Sequence, residues 1–365
     1  MNVVPVTFDD VDQKVTTAIA GGAPPDIFTH GPAATAVYSA KGQTIPLDAY
    51  LDKQGDRADF YKPMIDGGTW KGKLYQAPWY ANANVLVLRK DFFKEVGLDP
   101  AKPPMTWEEL EEDARKLVKS EGDKIRRIGY NQPVTGTGLQ QQFFSLAVQN
   151  GAELFDAGFT KAAFNSPEAI EALTFSQNLV LKDKVTSMTP VQADVPNAPL
   201  LVTGQMAMSW EALGAFAYAR RFKADLVDQL GVAPIFKRKK QATPLGGLGM
   251  QITKGSKQPE QAWQLVSYLL QLPNMGKIVE AVGGVASRKS ALEKLDYIKN
   301  TPANLVAQQS VDFGYPNPTI PSWIEMRTAI INAIEPVMAG KKDPKAGLDD
   351  ATRAANDLLK RDANL

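Results

Sequence analysis

The sequence contains no cysteine, and that absence removes thiol nucleophiles, thiolate metal sites and disulfides together. It suits an extracytoplasmic protein that avoids stray oxidation. Histidine occurs once, at His30, which excludes metal sites built on histidine clusters. A Ser-His-Asp triad would have to be built on that residue, and no G-x-S-x-G elbow accompanies it. No apolar stretch is long enough to span a bilayer, and the first residues lack the basic and apolar segments of a signal peptide. A net field is missing too. Lys and Arg number 41 against 40 Asp and Glu, a formal charge of +1, so nothing draws the chain to nucleic acid or an anionic membrane. The one dense basic run, Lys237-Arg238-Lys239-Lys240, lies between Pro234 and Pro244 and reads as a solvated loop.

What is present is ample core material. The chain has 365 residues, 44% of them hydrophobic, enough for two domains of ordinary size. "NVVPVTF" (2 to 8) reads as a strand, followed by a helix, a Gly21-Gly22 stop and a short strand at Asp26 to Phe28. That order predicts a β-α-β unit and a parallel sheet. Thr106 with Glu109 forms a capping box, and Ser166-Pro167 supplies an N-cap with proline at the first helical position. Trp263, Val266, Leu269 and Leu270 fall on one face of a helix opened by Pro259. Strand-like runs recur at 83 to 88, 127 to 130, 205 to 210, 230 to 236 and 248 to 253. With helices between most of them, the fold class is α/β.

Two glycine-rich stretches, "PLGGLGM" (244 to 250) and "TGTGLQ" (135 to 140), lack the Lys-Ser/Thr of a P-loop and the third glycine of a dinucleotide fingerprint. Close backbone approach is their expected role. A glycosidase needs only two carboxylates, and Glu211 at the end of a strand is a candidate acid, with no partner to be picked from the sequence.

"GKLYQAPWYANANVLVLRKDFFKEVGLDP" (72 to 100) resembles the solute-binding proteins of ABC importers, in the carbohydrate-binding group that includes maltose-binding protein. So do, in the same order along the chain, "GGAPPDIF" (21 to 28), "TWEELEEDARKL" (106 to 117), "LFDAGFTKAAFNSPEAIEALTF" (154 to 175), "GQMAMSW" (204 to 210), "GGVASRKSAL" (283 to 292) and "PSWIEMRTAIINAI" (321 to 334). The resemblance implies a two-lobed periplasmic-binding-protein fold of type II, closing on a solute between lobes joined by hinge strands. Lobe one would comprise 1-83 and 235-290, and lobe two 84-234 and 291-365. The family's first strand and long helix have no counterpart before "NVVPVTF", so the resemblance implies an N-terminally truncated chain.

A sugar offers apolar C–H faces and hydroxyls that both donate and accept, so binding it takes aromatic surface, amides and carboxylates. Residue by residue, the resemblance assigns ligand contacts to Trp79, Tyr80 and Asn82, just before the first crossover. It adds His30 after "PDIF", Asn131 and Gln132 after "RIGY", and Trp210 and Glu211 after "QMAMS". Gly246 and Gly247 would offer backbone N–H groups, and Trp323 would stack on the sugar. Trp70 and Tyr75 match buried core positions. The implied function is non-catalytic: a monomer that takes a sugar to an ABC permease, in the periplasm or outside the cell, with a lipid anchor in a longer form. It calls for no cofactor and no metal. Two rivals remain, the same fold binding a glycerol phosphodiester or other anion, which would want Arg or Lys in the cleft, and a glycoside-processing enzyme.

Overall fold

The computed structural model describes residues 2–7, 10–122, 124–189, 191, 193–196 and 198–363. Its strands, numbered in chain order, fall into two main sheets and two small pairs. The first sheet runs β1 (Ile27–His30), β11 (Leu248–Ile252), β4 (Ala77–Ala81), β12 (Val285–Ala286), with every neighbouring pair antiparallel. The second runs β6 (Lys119–Glu121), β7 (Lys124–Tyr130), β8 (Met206–Glu211), β5 (Val85–Arg89), β9 (Leu230–Ala233). Within it β7 and β8 are parallel and the other pairs antiparallel. A hairpin of β2 (Thr69–Trp70) and β3 (Lys73–Leu74) and a parallel pair of β10 (Thr243–Leu245) with β13 (Gly314–Pro316) complete the set.

The opening β-α-β expectation fails. Residues 2–7 form no strand, with Val3 and Val4 about two-thirds exposed, while Phe8 lies outside the described residues. The helix Val11–Ala20 does form, but β1 pairs antiparallel with β11, more than 200 residues away in the chain. Local order cannot reveal a partner supplied by the other end of the domain. The remaining helix signals act as read. Thr106 accepts from the Glu109 N–H at 3.2 Å while the Glu109 carboxylate accepts from the Thr106 N–H at 3.1 Å, closing the capping box. Ser166 caps the Pro167–Leu181 helix through the Ala169 N–H. Trp263, Val266 and Leu270 bury against Leu47, Leu74 and Met250 in the core beneath the first sheet.

The second sheet carries the larger core, with Phe143, Phe144, Phe164 and Trp323 all fully or almost fully buried. A third apolar cluster joins Tyr61, Met64 and Ala81 to Val85, Val87 and Phe216, so the boundary between lobes is itself packed. The basic run 237–240 is exposed, with Arg238 paired to Glu108 and Glu171. Trp70 and Tyr75 are half-buried and meet at 6.2 Å between ring centroids beside the β2–β3 hairpin, rather than in the core.

Candidate functional site

The chain passes between the two sheets at Asn82–Asn84, and the register on each side fixes what surrounds that crossing. In the first sheet Ala81 at the end of β4 pairs with Val285, Leu248 at the start of β11 pairs with Tyr80, and His30 ends β1. In the second, Val85 at the start of β5 pairs with Glu211 at the end of β8, and Leu86 with Ala233 at the end of β9. Asn131 directly follows β7 and donates its N–H to Met208 O at 3.0 Å. One end of each sheet therefore faces the crossing, and nearly every residue marked from the sequence lies at such an end. Strand ends at a change of chain direction are where open α/β sheets leave a crevice.

Asn82 is half-buried and tied by backbone alone: Gly246 donates to its carbonyl at 3.1 Å, and its N–H reaches Gly246 O at 3.4 Å. Its side-chain amide has no hydrogen-bond partner among the described residues. Gly247 has φ +104°, and a Cβ there would lie 2.2 Å from Tyr80 O, so only glycine permits β11 to come this close to β4. The close-approach reading of "PLGGLGM" thus has its physical cause. Trp79 and Tyr80 are half-buried and meet edge-on at 5.8 Å; the Trp79 indole N–H is buried without a partner among the described residues. Trp210 is 6% exposed, and its indole N–H is likewise unpartnered.

Glu211 is half-buried between β8 and the helix Gly214–Phe222. Burial pushes its carboxyl up to about 7, against the Ser209 hydroxyl and the Ala215 N–H, which favour the charged form. Among the described residues, the groups that act on it most are this hydroxyl and this N–H, not a second carboxylate. Asn131 Nδ2 lies 3.5 Å from the same Ser209 hydroxyl, at the limit of a hydrogen bond. Gln132 is 2% exposed; its amide N–H donates to Pro133 O, and its Oε1 is buried without a partner among the described residues.

Two of the marked residues are packed into the lobes. Trp323 is fully buried among Phe144 and Phe155, with centroids at 6.1 and 6.4 Å. Trp323 opens a long helix, Trp323–Met338, whose apolar face closes the second lobe's core. His30 is 4% exposed, and its Nε2 lies 3.2 Å from Asp12 Oδ1, an atom that also accepts from the Tyr38 hydroxyl at 2.9 Å. The imidazole is thus held inside lobe one rather than presented to solvent.

Sequence reading missed three residues here. Tyr315 is half-buried on β13, opposite Pro244, with its hydroxyl 3.0 Å from Ser145 Oγ; burial pushes the phenol well up, Ser145 pulling the other way. Nothing local in "GYPNP" predicts the parallel pairing that puts it there. Asp12 and Arg327 are the others: burial raises the Asp12 carboxyl, but His30, Tyr38 and the charge of Arg327 outweigh it and hold the group below its usual range. Arg327 had a signal, since it stands one helical turn after Trp323.

Comparison with known proteins gives this geometry a family. The family described as bacterial extracellular solute-binding protein matches residues 1–275. A binding protein of Brucella abortus (strain 2308) is 27% identical over 377 residues, covering 99% of this chain and 86% of its own. The sn-glycerol-3-phosphate-binding periplasmic protein UgpB of Escherichia coli O1:K1 is 25% identical, covering 98% and 86%. An ABC substrate-binding protein of Listeria monocytogenes, solved in complex with cycloalternan, superposes with a TM-score of 0.84 at 25% identity, covering 98% of this chain and 91% of that one.

Proposed function

The chain belongs to the bacterial extracellular solute-binding proteins, a family of binding proteins rather than enzymes, and from that premise we propose that it holds a neutral sugar between its lobes and delivers it to an ABC permease. The observation that carries the reading is the crossing itself. Asn82, Trp79, Tyr80, Asn131 and Glu211 all lie at or beside the strand ends on either side of it, and they supply amides, rings and a carboxyl. Aromatic faces with a few fixed amides and carboxylates suit C–H faces and hydroxyls. Cycloalternan, the saccharide bound by the Listeria relative, is of that class.

In this reading the ligand contacts are Trp79, Tyr80, Asn82, Asn131, Gln132, Trp210, Glu211, Gly246 and Gly247, with Tyr315 added. The lobes divide at 83/84, 234/235 and 290/291. The protein acts as a monomer, without catalysis, outside the cytoplasmic membrane. No helix among the described residues is long and apolar enough to cross that membrane. The phosphate that the E. coli relative's name carries would call for a cation, and no Arg or Lys is among the contacts proposed here.

The test is calorimetric titration of a neutral monosaccharide and disaccharide panel into wild type, Asn82→Asp and Asn82→Leu. Leucine keeps the volume but removes donor and acceptor, so a sugar hydroxyl closes over without a partner, at about 1–3 kcal/mol. Aspartate keeps acceptors and gives an intermediate loss. Affinity should fall in the order wild type, Asp, Leu, with apo stability unchanged. Equal affinity across the three, or loss of stability in place of affinity, would remove Asn82 from the site.

A further inference from the structure

The helix Gly136–Gln149 packs in the core of the second sheet, yet one of its faces is polar. Gln142, Ser145 and Gln149 are each 1% exposed and stand at i, i+3 and i+7, a spacing that puts them on one side of a helix. Their partners place that side against the crossing. Gln142 Nε2 donates to the hydroxyl of Tyr130, the last residue of β7. The hydroxyls of Ser145 and Tyr315 are 3.0 Å apart, and Tyr315 on β13 pairs with Pro244 on β10. Gln149 Nε2 donates at 3.1 Å to the carbonyl of Ala242, the residue before β10, and its Oε1 accepts from the Trp107 indole at 2.8 Å. β10 is itself fastened to the crossing, since Thr243 Oγ1 donates to Asn84 O at 2.9 Å and Leu245 bridges to Ala83. Ser145 and Gln149 therefore have their partners inside the protein. Gln142 does not: its Oε1 is buried with no hydrogen-bond partner among the described residues. Trp210 stands on the same side of the sheet. Tyr130 pairs with Met208, Trp210 is two residues further along β8, and all three belong to one apolar cluster. Its indole N–H is a second buried polar group without a partner among the described residues.

We propose that Gln142 is a further ligand-binding residue, forming with Trp210 a subsite at the crossing that takes one hydroxyl group of the sugar. The inference rests on the sugar reading above. An indole N–H only donates and an amide oxygen only accepts. A single hydroxyl accepts from Trp210 and donates to Gln142 Oε1, so its desolvation is matched by two bonds to groups that otherwise stay buried without one. The Tyr130 hydroxyl takes the Gln142 N–H, which fixes the amide with its oxygen as the open atom. A phosphate oxygen without a hydrogen cannot satisfy Gln142, and an ammonium cannot satisfy Trp210. The pair therefore selects a neutral, hydroxylated ligand. Gln140 gives the contrast. It is also 1% exposed, with both amide atoms lacking a partner among the described residues, but two positions before Gln142 it lies on the opposite side of the helix.

The experiment is calorimetry with D-glucose, D-galactose, D-mannose, maltose, cellobiose and mannobiose, followed by the monodeoxy analogues of the tightest binder. It is run on wild type, Gln142→Met, Trp210→Phe and Gln140→Met. Methionine keeps the length of the glutamine side chain and loses the acceptor; phenylalanine keeps a ring and loses the N–H. Gln142→Met and Trp210→Phe should each weaken the parent sugar about tenfold, and Gln140→Met should match wild type. On wild type one monodeoxy analogue should bind about tenfold more weakly than its parent. On Gln142→Met that same analogue should come within about threefold of the parent, because the hydroxyl has already lost its acceptor. Undiminished affinity in Gln142→Met, or an equal loss in Gln140→Met, overturns the inference while leaving the sugar reading intact. So does a deoxy loss that is the same in Gln142→Met as in wild type, which would give the amide oxygen to a bound water instead. Should Gln142→Met fail to fold, the deoxy series on Trp210→Phe decides, since the loss at that position must shrink there too. If none of these saccharides binds the wild type, the sugar reading and the subsite fall together.

Discussion

Glu211 carries the least expected chemistry of any single side chain here. Its folded pKa, pushed up to about 7 by burial, stands above the ordinary value near 4.5. The folded protein therefore binds a proton that the unfolded chain has already released between those pH values, and stability falls as pH rises from about 4.5 to 7, then levels. Glu211→Gln removes this dependence. It should leave stability unchanged at pH 4 and raise it by about 1–2 kcal/mol at pH 8, since one pKa unit is about 1.4 kcal/mol and partial exposure reduces the effect. Urea unfolding at the two pH values checks this, and an equal effect at both would show that the carboxyl is not strained. At this scale the sequence was legible where a residue's backbone position settles its surroundings, as for Asn82 beside the crossing. The packing around Trp323 and His30 was not legible. Whether an indole faces the cleft or the core depends on Phe144 and Phe155, and whether an imidazole is free depends on Asp12, eighteen positions earlier in the chain.

Elements were read well where their cause is local. The capping box at Thr106, the proline-opened helices and the apolar runs of β5, β8 and β11 need only a few neighbouring residues, and each formed where expected. Pairing was read poorly for the opposite reason. The first sheet is antiparallel because β11 and β12 return from the far half of the chain to lie beside β1 and β4. The return is tight at Gly247. Gly247→Ala must move Tyr80 O or abandon the positive φ, and should cost about 1–3 kcal/mol. Because the strain falls on β4 next to Asn82, sugar affinity should drop with it. A Gly247→Ala variant of native stability and affinity would mean that the β4–β11 approach is not constrained there.

For the whole molecule, two separate sheets with a shared apolar boundary, joined by a few crossing strands, form the architecture on which hinge closure is built. The collinear blocks in the sequence point to this architecture because they sit on scaffold elements, while the apolar cluster shared between the sheets is drawn from several blocks at once. A ligand shifts such an equilibrium only by what it gains in the closed state, so its contacts must come from both lobes. Hydrogen exchange with and without a saturating disaccharide from the panel tests this most directly. The account predicts slowed exchange in 79–84 and 244–248 together with 129–132 and 209–213, on both sides of the crossing. Protection confined to one lobe, or placed away from these strand ends, would contradict it.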